Sequence, residues 1–269
     1  MAAIELLAAS FIILFQELTL IRWLGSEIRV LAYFPNLILM SAFLGLGIGC
    51  LLGDLRRLEP LWPISLFLAI VTTQVMNRIV FTSESESKYL WLLYQDLPKD
   101  SLVIHSVIVP IVICFVVSCL TFIPLGQYVA RRLELFRAQS RVLWGYSWDI
   151  GGSLLGICAF TFIGFTGTPP AFWFAVIFTL GVVIFRGSGH RLAIYLFMVA
   201  ISVVLIAYAQ RDRAYSPYYS LSVVETPGIG LDILANGAVH QVALDFNDAT
   251  RLSSNYVRSV VDGYRKPYT

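Results

Sequence analysis

Up to about residue 210 the chain alternates long apolar runs with short polar loops, and then its pattern changes. At about 20 apolar residues per bilayer crossing, some seven runs qualify: 3–24, 30–53, 61–81, 102–130, 143–165, 170–186 and 191–209. The sixth is the weakest, being short and starting after Thr168, Pro169 and Pro170. Pro110 and Pro124 fall in the fourth and are expected to kink it or end it early. Pro35 and Asn36 open a local break near the start of the second. That second run also carries Ser41, Gly45, Gly49 and Gly53 at four-residue intervals, and the fifth carries the step Gly152 to Gly156. Such smooth strips let helix backbones approach closely in lipid, so these glycines are read as packing positions.

The later residues separate a helical membrane domain, 1–210, from a soluble tail, 211–269. Residues 218–225 predict a strand, Pro227 and Gly228 a turn, and 231–235 a second strand. Asn236 and Gly237 supply the positive φ values that a type I′ hairpin turn needs, and 238–246 returns as a third strand. Tyr256, Val257, Val260, Val261 and Tyr264 recur at helical spacing behind Ser253 or Ser254, with Pro267 as the stop. The predicted fold is an all-α polytopic membrane helix bundle with a small C-terminal antiparallel β-hairpin region. So small a tail needs a further domain, a partner or the membrane face to bury its apolar side chains.

Composition agrees with this pattern. Residues are 58% hydrophobic and 13% charged, against about 25% charged in soluble domains, and mean hydropathy is +0.76. The net charge is +2, and no basic stripe is interleaved with aromatics, so nucleic acid is not a partner class. Cys50, Cys114, Cys119 and Cys158 sit in apolar runs without ligand spacing and read as small hydrophobes. No basic segment precedes 4–23, which reads as a retained span. Arg56, Arg57, Arg131, Arg132, Arg137, Arg141, Arg186 and Arg191 share a face with Met1, and the positive-inside rule makes that face cytoplasmic in an inner (cell) membrane. An odd number of spans then puts the C-terminal tail outside the cytoplasm. One crossing fewer would reverse this, and Arg211 and Arg213 would suit that outcome. The 82–101 loop, with Tyr89, Trp91 and Tyr94 among its charges, predicts a short interfacial helix.

Charged side chains within the spans are the candidates for chemistry. Asp149 lies in the fifth run, where a charge costs about 2.5–3.5 kcal/mol on insertion scales, so it should face a protein interior or a wet cavity. A polar group in the cytoplasmic third of a neighbouring helix is expected to satisfy it. Gln16, Glu17 and Arg22 are the polar content of the first run, and Asn77 and Arg78 that of the third. At ~1.5 Å per residue Glu17 lies roughly 20 Å in and Asp149 about 10 Å, so the two carboxylates should not meet. Arg78 is closer to Glu17 in depth, and a buried Glu17–Arg78 pair is expected as a structural tie, with an ion or proton path as the alternative. His105, His190 and His240 are scattered, and no metal site is expected. GxSxG, GxGxxG, Walker and HExxH patterns do not occur.

The order of several pieces resembles the membrane-anchored spermidine synthase-like (polyamine aminopropyltransferase) family, in which a polytopic helical domain precedes a catalytic module. The pieces are ELTLIRWLG from Glu17, FLGLGIGCLLG from Phe43, YSWDIGGSLLG from Tyr146, SPYYSLSVVE from Ser216 and LANGAVHQVALD from Leu234. The last two resemble the N-terminal β-region of such synthases, which implies a substrate-side role for Gln241. In that family a following Rossmann-like domain binds decarboxylated S-adenosylmethionine and carries the acidic residues. Its glycine-rich turn does not occur in residues 1–269, so this chain is expected to hold no cofactor unless such a domain follows.

Three functions are consistent with these features. The first is a noncatalytic integral membrane subunit that contacts lipid and anchors or scaffolds further subunits of a membrane complex. The second is the membrane and hairpin portion of a longer or two-chain aminopropyltransferase, and the third a small cation or polyamine transporter.

Overall fold

A computed structural model of the chain describes residues 2–53, 57–81, 102–104, 106, 108–184, 189–226 and 230–244. These form helices α1 (Ala2–Glu27), α2 (Arg29–Ala32), α3 (Pro35–Leu51), α4 (Trp62–Met76), α5 (Ile108–Ala138), α6 (Val142–Phe165), α7 (Pro170–Ile184) and α8 (Gly189–Ala209). A 3₁₀ turn, Glu59–Leu61, leads into α4. The strands are β1 (Ile79–Phe81), β2 (Leu102–Ile104), β3 (Ala214–Tyr215), β4 (Ser220–Thr226), β5 (Gly230–Ala235) and β6 (Ala238–Leu244).

Among the described residues, five helical segments are long and apolar enough to cross a membrane: Ala2–Glu27, Glu59–Met76, Ile108–Ala138, Val142–Phe165 and Leu192–Ala209. The other two expected spans are shorter. α3 has 17 residues and α7 has 15, about 26 and 22 Å at ~1.5 Å per residue, against a hydrocarbon core of about 30 Å. The run from 30 splits because a proline disfavours helical backbone in the residue before it: Phe34 sits at φ −126°, ψ 54°, and Pro35 starts a new helix. The third run stops being helical at Met76, and its β-branched end pairs in parallel as β1 with β2, the start of the expected fourth span. Neither proline ends α5. Pro110 lies in the first turn, where its missing N–H costs nothing, and Pro124 is enclosed within a continuous 31-residue helix. The expected interfacial helix in 82–101 and terminal helix after Ser253 lie outside the described residues.

α1 is the most enclosed span, with α6 along one side and α7, α4 and α5 around the rest. Its contact with α6 is backbone against backbone: a Cβ at Gly152 would lie 2.3 Å from the Leu7 carbonyl oxygen, and one at Gly156 2.6 Å from that of Phe11. A second seam joins α3 to α5. There, a Cβ at Gly45 would meet the Cys119 carbonyl at 2.4 Å and one at Gly49 that of Ile123 at 2.2 Å, while Gly126 returns the contact against Leu46. A Cβ at Gly53 would meet the Cys50 carbonyl of its own turn, at 3.3 Å. Gln16 adds a polar tie, accepting from Trp62 Nε1 on α4 and donating to Thr121 Oγ1 on α5, both at 3.0 Å. Trp62 in turn stacks near Tyr195 of α8 and meets Phe178 of α7 edge-on.

The two ends of the bundle differ. Arg132 pairs with Glu5 at 3.0 Å and Arg131 with Glu59 at 3.3 Å at the Met1 end. At the other end, where α1, α4 and α8 finish, the tail forms an antiparallel sheet in the order β3-β4-β5-β6. Asn236 (φ 50°) and Gly237 (φ 74°) make the β5–β6 turn.

The close seam generates a paired test. Gly152→Ala is expected to destabilise the bundle by about 1–3 kcal/mol through overpacking, whereas Gly151→Ala, whose Cβ meets nothing within 4 Å, should leave it unchanged. Thermal melting of the two variants in the same detergent distinguishes them.

Candidate functional site

The densest polar cluster forms where α1 ends. Glu27 closes that helix, and its side chain is fully enclosed. Its carboxylate accepts from Asn77 Nδ2 at 2.7 Å, Gln210 Nε2 at 2.8 Å and Arg213 Nη1 at 3.0 Å. Asn77 follows α4, and Gln210 and Arg213 follow α8, so one carboxylate ties three chain segments. Burying a carboxylate is tolerable only when its charge is paired and its lone pairs are filled, and these donors do both.

Arg22, five residues earlier on α1, points toward the tail. Its guanidinium lies over the Trp173 ring, 4.7 Å from the centroid, and Nη2 donates to the Ser216 carbonyl. Gly164 on α6 makes room for it, since a Cβ there would lie 2.8 Å from Nη1. No carboxylate among the described residues pairs with it. Between them, Tyr215 packs edge-on against Trp173. Its hydroxyl is enclosed beside Ser220 and Arg213. Burial, and then the charge of Glu27, push that hydroxyl up to about 12.

The sheet rests on this cluster by one end. Ser220 and Leu234 are buried there, and the Asn236 side chain accepts from the Ser220 N–H at 2.9 Å. Beside Arg22 a cavity of about 160 Å³ opens between the α1–α2 corner and the hairpin, lined in part by Ile21, Gly25, Tyr218 and Asn236. The arrangement anchors a sheet to helix ends and presents a guanidinium to a small polar space. Among the described residues, no three His, Cys, Asp or Glu side chains are grouped to hold a metal ion.

The residues expected from the sequence lie elsewhere. Asp149 is half-buried near the Met1 end and accepts from Ser10 Oγ at 2.5 Å. Glu17 is only 5% exposed and has no hydrogen-bond or ion-pair partner among the described residues. The expected Glu17–Arg78 pair does not form. Arg78 is exposed after α4, and its neighbour Asn77 reaches Glu27, ten residues beyond Glu17, or about 15 Å at ~1.5 Å per residue. The depth comparison failed because α4 stops at Met76 instead of continuing to 81. Gln241 is exposed on β6 opposite Ile233, and His240 falls at the adjoining bulge. Asp149, Glu17 and Gln241 therefore do not converge. Sequence reasoning missed Glu27, although an acid closing the first apolar run and Arg213 just past the last one was an available signal.

By the length and composition of its helices, this is a multi-pass membrane protein carrying a small four-stranded antiparallel sheet. No family model matches the chain, and no similar curated protein or solved structure is found.

Two outcomes follow from the Glu27 cluster. Glu27→Ala leaves the partly buried Arg213 without its counter-charge and Asn77 and Gln210 without their acceptor, and should cost about 1–3 kcal/mol, read as a lower melting temperature and faster proteolysis of the tail. Tyr215 ionises at its ordinary 10.0 when undocked and at about 12 when docked. The neutral form favours docking, so the stabilisation is complete below the lower value and is lost as pH rises through that window. Tyr215→Phe should remove this alkaline loosening in a protease-protection assay.

Proposed function

We propose that the chain is a noncatalytic membrane subunit that anchors or scaffolds a larger complex, with the sheet as its docking surface for another protein. The observation that carries this reading is the sheet's uncovered apolar surface. Val223 and Val224 are consecutive and so point to opposite faces, yet they are 61% and 49% exposed. Leu231, two residues along and one strand across from Val223, is 45% exposed, and Gln241 shares that face. A sheet of four short strands with little buried of its own gains stability from a covering partner. The glycine seams support a static bundle, since backbones in such close contact leave no slack for sliding.

Sidedness belongs to the same proposal. The face bearing Met1, Arg131 and Arg132 is cytoplasmic by the positive-inside rule, and the sheet at the other end lies outside. A cytosolic aminopropyl donor would not reach it there, which ranks the aminopropyltransferase reading second. A transporter reading draws on Asp149, Glu17 and the glycine strip and ranks third, because the two carboxylates sit at different depths and outline no single midplane site.

Membranes solubilised in mild detergent are expected to yield an assembly heavier than the 30.1 kDa chain, and Val223→Asp with Leu231→Asp should release the chain from it. Purification of the native protein as a lone monomer would overturn the scaffold reading. A topology reporter fused at Thr269 should read extracytoplasmic; a cytoplasmic signal would restore the second reading.

A further inference from the structure

We infer that Arg22 and the β5–β6 hairpin form a binding site for the phosphate of a phospholipid headgroup in the leaflet on the sheet side. Three observations point to it. First, Arg22 is a half-buried guanidinium with no carboxylate partner among the described residues. Of five N–H donors, the one hydrogen bond it makes among those residues is to the Ser216 carbonyl, a neutral acceptor. Its charge is therefore uncompensated among the described residues.

Second, the guanidinium is preorganised. Trp173 supports one face, and Gly164 leaves space beside Nη1. A planar fork already held in place loses little freedom on meeting phosphate oxygens, the geometry it matches best.

Third, the space beside it is suitable in size and lining. The cavity of about 160 Å³ equals roughly five waters at about 30 Å³ each. Among the described residues, no acidic side chain lines it. The Asn236 Oδ1 is engaged by Ser220, which leaves its Nδ2 as a donor without a partner among the described residues, and the exposed Tyr218 adds a hydroxyl. Arg22 lies near the end of α1, where a span reaches headgroup level. The phosphate would thus be held jointly by a membrane helix and the extramembrane hairpin, clamping the sheet to the bilayer. This goes beyond the scaffold reading and does not depend on it.

The full chain, delipidated and titrated with phosphatidylglycerol, is examined by native mass spectrometry for retained lipid. Arg22→Gln should lower retention about tenfold, and Arg22→Lys, which keeps the charge but not the fork, by less. Should Arg22→Gln fail to fold, Asn236→Gly keeps the turn backbone and removes one donor, and it should still weaken retention. Inorganic phosphate at millimolar concentration separates the two sources of the chemistry: lipid retained in its presence identifies a headgroup site, and lipid displaced by it identifies a free-phosphate site. Equal retention by wild type, Arg22→Gln and Asn236→Gly would overturn the inference.

Discussion

Close approach of backbones around α1 is the constraint on which the remaining structure depends. Lipid tails are as apolar as the side chains facing them, so helices in a bilayer gain little from mutual burial and rely on intimate contact and polar ties. Gly152 and Gly156 bring α6 against Leu7 and Phe11, while Gly45, Gly49 and Gly126 lock α3 to α5. Once those distances are fixed, the polar ties fall into reach. Ser10 meets Asp149, and Gln16 spans α4 and α5. A bundle set further apart would leave Asp149 and Gln16 without these partners.

The two ends of the bundle solve different problems. At the Met1 end, Arg131 and Arg132 pair with acids of other segments, and Gln127 staples the connection after α3 by donating to the Leu52 carbonyl and accepting from the Leu58 N–H. At the far end, Glu27 gathers the exits of α1, α4 and α8, and that gathering positions the sheet. The tail is thus seated through charge and ring contacts near Trp173 and Tyr215, with little apolar burial of its own, and much of its surface is left free.

Much of the fold was legible in the residues. The small-residue strip of α3 and the Gly152–Gly156 step stood out by spacing, and the Asn236–Gly237 turn by its backbone demand. The break before Pro35 followed from sterics. What escaped notice had specific causes. Residues 79–81 are apolar, with Ile79 and Val80 β-branched, and inside a long apolar run periodicity cannot separate a strand from a helix end. Gly126 is isolated in its own helix, so its role emerges only from the partner it receives. β3 has two residues, too few for any pattern. The Glu17–Arg78 expectation rested on counting depth along an unbroken helix, and the end of α4 at Met76 undid it. The Glu27 cluster unites residues from three separated segments, and no spacing rule in one segment encodes such a meeting.

The enclosure of α1 also bears on how the protein is made. This helix leaves the ribosome before α4 to α8, yet several partners of its polar side chains arrive much later: Thr121 in α5, Asp149 in α6, and Gln210 with Arg213 after α8. During synthesis Ser10, Gln16 and Glu27 must therefore wait in the membrane or its insertion machinery without those contacts. The order of synthesis runs opposite to the order of need, and the bundle can close around its first helix only when its last one is in place.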